Sequence, residues 1–363
     1  MEKSKAKYSI LVNTLREKIA SGAYQPGDKL SSENELSEEF GFSRQTVRQA
    51  LGILEQEGLL VRRRGSGTYV AKTVSAPKTC TIGVVATYIT DYIFPVIIRG
   101  IEEVLSQHHC RLTLGVTKNH VDTERQVLQS MIDSGVDGLI IEGTKTALPN
   151  PNIPLYRKLE NMGIPCVFFN GYYRELPGSV YVVTNDRESG RRASRLLIEK
   201  AGCRCLGGIF KSDDMQGHER YAGFSQGMME CGLELRDDRV VWYSTANRES
   251  LFDKENLSYL LRALQGCDGV VCYNDQIAYQ LIELLRENRI AVPQQVSVIS
   301  FDNSRISFYS PVKITSFNHP KEQMGQHAAQ KILQMLETGH RVPSSVLEME
   351  LNEKASVRTI ELP

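Results

Sequence analysis

The chain has 363 residues, 41% apolar and 24% charged, a mixture that fits a globular protein with more than one core and excludes a disordered, collagen-like or rod-like chain. No run approaches the length of a membrane span, and charges interrupt the opening MEKSKAKYSILVNTLREKIASG where a secretory signal stays apolar, so a cytoplasmic protein with no membrane partner is expected. The 43 basic and 43 acidic side chains cancel overall, yet residues 1–79 carry 13 against 9 and the remainder 30 against 34. A small basic module on a larger, mildly acidic one can hold a polyanion while the whole molecule stays neutral.

Tyr8, Leu11, Leu15 and Ile19 recur at helical spacing, and Gly22 with Pro26-Gly27 ends that helix. Ser32 followed by Glu35 is a capping box, which predicts a second short helix carrying Leu36 and Phe40. Gly41 supplies a turn, and Ser43 caps a third helix that begins at Arg44. On this third helix Val47, Ala50, Leu51 and Leu54 form an apolar face, while Arg44, Gln45, Arg48 and Gln49 gather on the other. Arg and Gln carry forked donors that match guanine and adenine edges in the major groove. LLVRRRGSGTYV then reads as two short strands around a Gly-Ser-Gly turn, with Arg62, Arg63 and Arg64 at the tip. A phosphate loop would need a following Lys-Ser/Thr and a helix, and neither is present. The expectation is a winged helix-turn-helix over residues 1–70, followed by the polar linker AKTVSAPKT at 71–79.

Residues 8–70, above all PGDKLSSENELSEEFGFSRQTVRQALGILEQEGLLVRRRGSGTYV, resemble the winged-helix DNA-binding domain of the GntR family of bacterial transcription regulators. The resemblance implies that Arg44, Gln45, Thr46 and Arg48 contact operator DNA from the recognition helix. It places Ser32 and Glu33 at the start of the second helix, and Arg64, Gly65 and Gly67 at the wing tip beside Arg62. Lys7 and Tyr8 match positions that also approach DNA.

From residue 80 the texture changes to a beat of apolar strands and longer helices. The strands are TIGVVAT, RLTLGV, GLIIEG, PCVFFNG, VYVVTND, GGIF, VVWYS, GVVCY and VSVISFD. The predicted helices begin at Phe94 and Asp122, run near 152–162, follow Gly190, span Gly217 to Met229, and pass through Leu264 and Arg289. Nearly continuous apolar strands between helices imply an α/β unit with parallel sheets covered on both faces, and residues 80–363 suit two lobes meeting at a cleft. Strand ends in such sheets line the cleft. They carry Asp91 and Tyr92, Glu142 and Lys145, Asn170, Asn185 and Asp186, Lys211 with Asp213 and Asp214, Asn274 with Asp275, and Asp302 with Asn303, a supply of groups suited to a small polyhydroxylated ligand. The first strand lacks G-x-G-x-x-G and no catalytic motif follows it. The eight cysteines are scattered, Cys203 and Cys205 being the one close pair, so neither a cofactor nor a metal is expected.

This second part resembles the effector domain of the LacI family, itself similar to periplasmic sugar-binding proteins, through VDGLIIE, HERYAGF, VVCYNDQIAYQLIELLRE, VPQQVSVISFDNS and KITSFNHPKEQMGQHAAQKIL. The resemblance implies effector contacts at Tyr88, Asp91, Tyr92, Phe94, Glu142, Lys145, Asn170, Asp186, Lys211, Gln216, Arg220, Asn274, Asp302 and His319. Arg220 would bridge sugar hydroxyls, and Phe94 or Tyr92 would lie against a sugar ring. A GntR-type head on a LacI-type body is similar to repressors of the arabinose-responsive kind, which implies double-stranded operator DNA and L-arabinose as partners. Asn303 stands where relatives often have a second Asp.

The expected protein is therefore a transcriptional repressor without enzymatic activity, released from operator DNA by a small sugar. A homodimer is expected because one recognition helix makes a small contact, with the helices after Phe94 and Asp122 as its pairing surface. The residues themselves leave open another pentose, a phosphorylated sugar admitted by Lys145, Lys211 and Arg220, and a sugar-processing enzyme with a DNA-binding head.

Overall fold

The computed structural model describes residues 2–63, 66–71, 80–90 and 92–360, with the backbone alone at residues 2–8, 20 and 56. The chain divides into two compact units, Met1–Thr79 and Cys80–Pro363.

In the first unit, α1 (Glu2–Ala20), α2 (Glu33–Phe40) and α3 (Arg44–Gln56) precede the antiparallel pair β1 (Leu60–Arg63) and β2 (Gly67–Val70). The capping box is formed: the Glu35 N–H donates to Ser32 Oγ at 3.3 Å and the Ser32 N–H to Glu35 Oε2 at 2.7 Å. Gly41 ends α2 at φ 65°, a left-handed turn that glycine adopts freely, and the Thr46 N–H donates to Ser43 Oγ at 3.2 Å to start α3. Leu11, Leu15, Leu36, Val47, Leu51, Leu54, Leu60 and Val70 bury together as one core. The apolar face of α3 is spent on that core, which leaves its Arg and Gln face outward.

The second unit begins with β3 (Thr81–Ala86), α4 (Phe94–Gln107), β4 (Arg111–Val116), α5 (Val121–Asp133), β5 (Gly138–Ile141), α6 (Ile153–Asn161), β6 (Cys166–Phe169) and β7 (Val180–Thr184). There follow α7 (Asp186–Glu199), β8 (Leu206–Lys211), α8 (Met215–Glu230), β9 (Val240–Tyr243), α9 (Lys254–Ala263), β10 (Gly269–Cys272), α10 (Asp275–Glu287), β11 (Ser297–Asp302), α11 (Arg305–Tyr309) and β12 (Thr315–Asn318). The chain closes with α12 (Lys321–Thr338), β13 (Ser345–Leu347) and β14 (Glu350–Asn352).

Two six-stranded sheets result, ordered β13-β7-β6-β5-β3-β4 and β14-β12-β11-β10-β8-β9. Every pairing is parallel except β12 with β14. Each sheet carries cores on both faces and makes one lobe. The chain crosses between lobes three times, after β7, after β12 and after β13. In both sheets the strand order reverses, at β3/β5 and at β8/β10, and a crevice opens beyond the strand ends at such a switch point.

Two expectations need correction. Helix α7 starts at Asp186 rather than after Gly190: the Asn185 side chain accepts the Glu188 N–H at 3.3 Å, and Gly190 sits inside the helix because a Cβ there would collide with the Arg220 carbonyl on α8. The apolar faces of α4 and α5 are not free for pairing. Ile97, Ile101 and Leu105, like Leu128 and Met131, are buried within their own lobe.

Helices α7 and α8 approach so closely that a Cβ on Gly223 would meet the Arg187 carbonyl. Gly223→Ala is therefore expected to destabilise the second lobe by about 1–3 kcal/mol, read as a lower urea midpoint in the fluorescence of Trp242, the sole tryptophan.

Candidate functional site

The outward face of α3 and the β1–β2 wing form one candidate surface. Arg44, Gln45, Arg48 and Arg62 are exposed. Glu33, at the start of α2, joins helix to wing: Arg48 Nη2 lies 2.7 Å from Glu33 Oε2 and Arg62 Nη2 lies 3.4 Å from Oε1. The hydrogen bond from Arg48 holds the Glu33 carboxyl below its ordinary value. Arg63 packs over the Tyr69 ring at 4.7 Å, which stiffens the wing. Thr46 bonds its hydroxyl to Ser43 Oγ at 2.8 Å, so it serves the helix start. Ser32 is occupied by its capping box, and Gly67 opens β2 in the left-handed region at φ 118°. Lys7 and Tyr8 lie on α1, where the backbone alone is described, and Arg64 and Gly65 lie outside the described residues.

The second candidate site is the crevice at the two switch points, a cavity of about 90 Å³. One ordered water needs roughly 10–15 Å³ by this measure, so the space suits a small compact molecule. The first lobe contributes Thr87, Tyr88, Tyr92, Phe94, Asn119, Glu142, Thr146 and Asn170, and the second Lys211, Asp214, Gln216, Tyr243, Arg248, Tyr273, Asn274 and Asp302.

Its polar groups are held by protein partners. Glu142 Oε1 accepts from Asn170 Nδ2 at 2.8 Å, and Oε2 accepts the Thr87 N–H at 2.8 Å and the Thr87 hydroxyl. Burial pushes the Glu142 carboxyl up against those three bonds. The Lys211 ammonium pairs with Asp214, and with Asp213 at 3.5 Å; burial opposes its charge, but the two carboxylates prevail and raise its pKa. Lobe-crossing bonds run from Tyr92 to Asp302 at 2.6 Å, Asn119 to Thr245 at 2.6 Å, and the Met215 N–H to Thr146 at 3.0 Å. The lobes are thus closed on one another.

Several expected contacts lie behind the lining instead of in it. Arg220 is fully buried, with Nε 2.7 Å from Asp186 Oδ1, Nη1 2.5 Å from the Tyr273 carbonyl and Nη2 3.5 Å from Asp302 Oδ1. Burial opposes its charge, and the carboxylates of Asp186 and Asp302 outweigh it. Asp186 and Arg220 therefore brace Asp302. His319, on the crossover after β12, bonds through Nε2 to Asn170 Oδ1 at 3.0 Å; the Asn170 amide already donates to Glu142, so Nε2 carries the proton. Burial pushes the imidazole down to about 3. Lys145 gives its backbone N–H to Asn119 Oδ1 at 2.8 Å and does not line the cavity, and Asp91 lies outside the described residues.

The lining also holds residues that the strand-end reading did not select. Asn119 lies three residues past β4, as Lys145 lies a few residues past β5, and obeys the same strand-end rule. Tyr243 and Tyr273 sit at strand ends and read as core aromatics. Arg248 lies five residues past β9, in a loop with no periodic signal, and approaches the Tyr88 ring at 5.6 Å across the cleft.

Residues 7–70 match the family described as bacterial regulatory proteins, gntR family, and residues 190–357 match the periplasmic binding protein-like domain. The chain is 38% identical over 339 residues to the arabinose metabolism transcriptional repressor of Geobacillus stearothermophilus, covering 93% of each protein. It is 36% identical over 337 residues to that of Halalkalibacterium halodurans, covering 91% of this chain and 89% of the relative. The crystal structure of the regulator CcpA of Lactococcus lactis superposes with a TM-score of 0.68 at 23% identity, over 77% of this chain and all of that one, which speaks for the fold alone. A winged-helix head joined to a two-lobed effector body defines a DNA-binding transcription regulator with a sugar-binding effector domain. Within that class, the chain belongs to the family of arabinose metabolism transcriptional repressors.

Two outcomes follow from this geometry. Arg48→Ala is expected to weaken operator binding by about 1–3 kcal/mol and to return the Glu33 carboxyl toward its ordinary range in an NMR titration; an unmoved midpoint would remove the pair. His319 has a folded pKa lowered from 6.5 to about 3, so its stability contribution is present above 6.5 and lost as pH falls. Asp275, raised from 3.8 to about 6 by burial, contributes stability at low pH that is lost as pH rises through 6, but its shift is the smaller. Urea unfolding followed at Trp242 should therefore show less loss of stability from pH 7 to 4.5 in His319→Gln, which keeps a donor toward Asn170, than in wild type.

Proposed function

We propose that this repressor reads operator DNA through Arg44, Gln45 and Arg48, steadies itself on the backbone through Arg62 and the wing, and leaves the operator when L-arabinose fills the body's cleft. The observation that carries the reading is the closed cavity itself, with hydroxyl-seeking groups from both lobes and lobe-crossing bonds around it. A ligand that bonds to both lobes favours the closed state, and it weakens operator binding if the operator-bound protein prefers the other state. The 36–38% identity to arabinose metabolism repressors supports L-arabinose as that ligand.

The proposed protein is cytoplasmic, acts without catalysis and works as a homodimer on two half-sites. Support for the absence of catalysis comes from the lining carboxylates: Glu142, Asp214 and Asp302 are each engaged by protein donors or an ammonium, an arrangement suited to binding. Among the described residues no helix is long and apolar enough to cross a membrane. Sedimentation of the full chain with operator DNA tests the dimer, and a monomer bound to intact operator would refute it.

Calorimetric titration against free and phosphorylated pentoses, paired with mobility shifts, tests the switch. L-Arabinose should bind and release DNA, whereas Lys211→Ala should bind sugar at least about tenfold more weakly, as expected for a charged hydrogen bond lost, with operator affinity unchanged. Release by a different sugar would overturn the ligand assignment, and tighter DNA binding with sugar would reverse the sign of coupling.

A further inference from the structure

Tyr92 precedes α4 in the first lobe, yet its hydroxyl is bound by the second. It donates to Asp302 Oδ2 at 2.6 Å and accepts the N–H of Asp275 at 3.3 Å. That N–H is the first of α10, and first-turn N–H groups have no acceptor within their own helix. One phenol oxygen from the opposite lobe therefore completes a helix start and a carboxylate together. Both ends of this bridge sit in the left-handed region, Tyr92 at φ 63° and Asp302 at φ 92°, a conformation that non-glycine residues keep only where surrounding contacts hold them. Burial pushes the Tyr92 phenol well above its ordinary value, so it stays a donor across the neutral range.

Asp302 lines the cavity. Its Oδ1 faces Arg220 at 3.5 Å and its Oδ2 receives the Tyr92 proton, which leaves the remaining lone pairs to a ligand hydroxyl. We infer that Tyr92 is a positioning residue for the effector: acting through Asp302 and the start of α10, it ties the lobes closed around the sugar and so sets the sugar concentration at which DNA is released. The inference rests on the effector reading above and adds to it the residue that converts occupancy into closure. Phe keeps the ring and removes the bridge.

The test compares full-length wild type with Tyr92→Phe in calorimetric titrations with L-arabinose and in operator mobility shifts. Loss of one hydrogen bond to a charged group predicts a dissociation constant about ten- to a hundredfold higher. The sugar concentration for half-release should rise by a similar factor, with sugar-free operator affinity undiminished. Amide exchange supplies the readout that a purely structural role would not move: the Asp275 N–H should gain protection on sugar binding in wild type and not in Tyr92→Phe, whereas a purely structural bond would protect it equally with and without sugar. Wild type that does not bind L-arabinose overturns the arabinose reading and this inference with it. Wild type that binds while Tyr92→Phe binds equally well, or a variant with a lower unfolding midpoint and an unchanged dissociation constant, overturns this inference alone.

Discussion

A guanidinium removed from water must be neutralised and hydrogen-bonded on nearly every side, and the body of this protein is organised around the one fully buried guanidinium among the described residues, that of Arg220. Arg220 reaches from α8 to the Asp186 carboxylate at the first crossover, to the Tyr273 carbonyl beyond β10 and to Asp302 at the end of β11. The Phe301 and Tyr273 rings lie 4.5 and 4.9 Å from its guanidinium carbon. Removing one partner of such a group leaves a buried charge uncompensated, typically at a cost of about 3–5 kcal/mol, so these segments are held in one arrangement. The cavity inherits that rigidity because Asp302 belongs to both the buried cluster and the lining.

Against this fixed element the first lobe is closed. Its contribution is a chain of bonds that begins at the hinge, from His319 to Asn170 to Glu142 to Thr87. The β5–α6 loop is held from beneath by Glu124, whose carboxylate accepts from Tyr156 and Tyr173 at 2.7 and 2.6 Å and from Asn150 and Asn152 at 2.8 and 2.7 Å. A buried carboxylate with so full a set of donors specifies a single loop conformation, and that loop carries Thr146 across the cleft to the second lobe. Binding chemistry and hinge position are thus linked by hydrogen bonds of known partners.

In the DNA-reading unit a comparable link is made by one half-buried acid. Glu33 holds Arg48 of α3 and Arg62 of the wing, placing the two basic elements at a common edge. Exposed ion pairs contribute little to stability. The value of this one is geometric, since it orders long side chains that would otherwise lose rotamer freedom on binding.

The sequence by itself determined what depends on neighbours within a few residues. The capping box at Ser32, the Ser43 cap, the two faces of α3, the Gly-Ser-Gly wing and the strand-helix beat of the body all follow from short-range periodicity and cap chemistry. Strand-end placement also found Tyr92, Glu142, Asn170, Lys211, Asp214, Asn274 and Asp302, because parallel sheets put those ends at one crevice. Tertiary structure alone decided that Arg220, Asp186 and His319 stand behind the lining, that Arg248 enters it from an aperiodic loop, and that Tyr92 meets Asp302 from 210 residues away. It also decided where α7 begins, because Gly190 reads as a break in isolation and is a contact point only when α8 lies against it. The common reason is range: local backbone preferences are written in adjacent residues, whereas burial, charge pairing and helix contact depend on which distant segments the two sheets bring together.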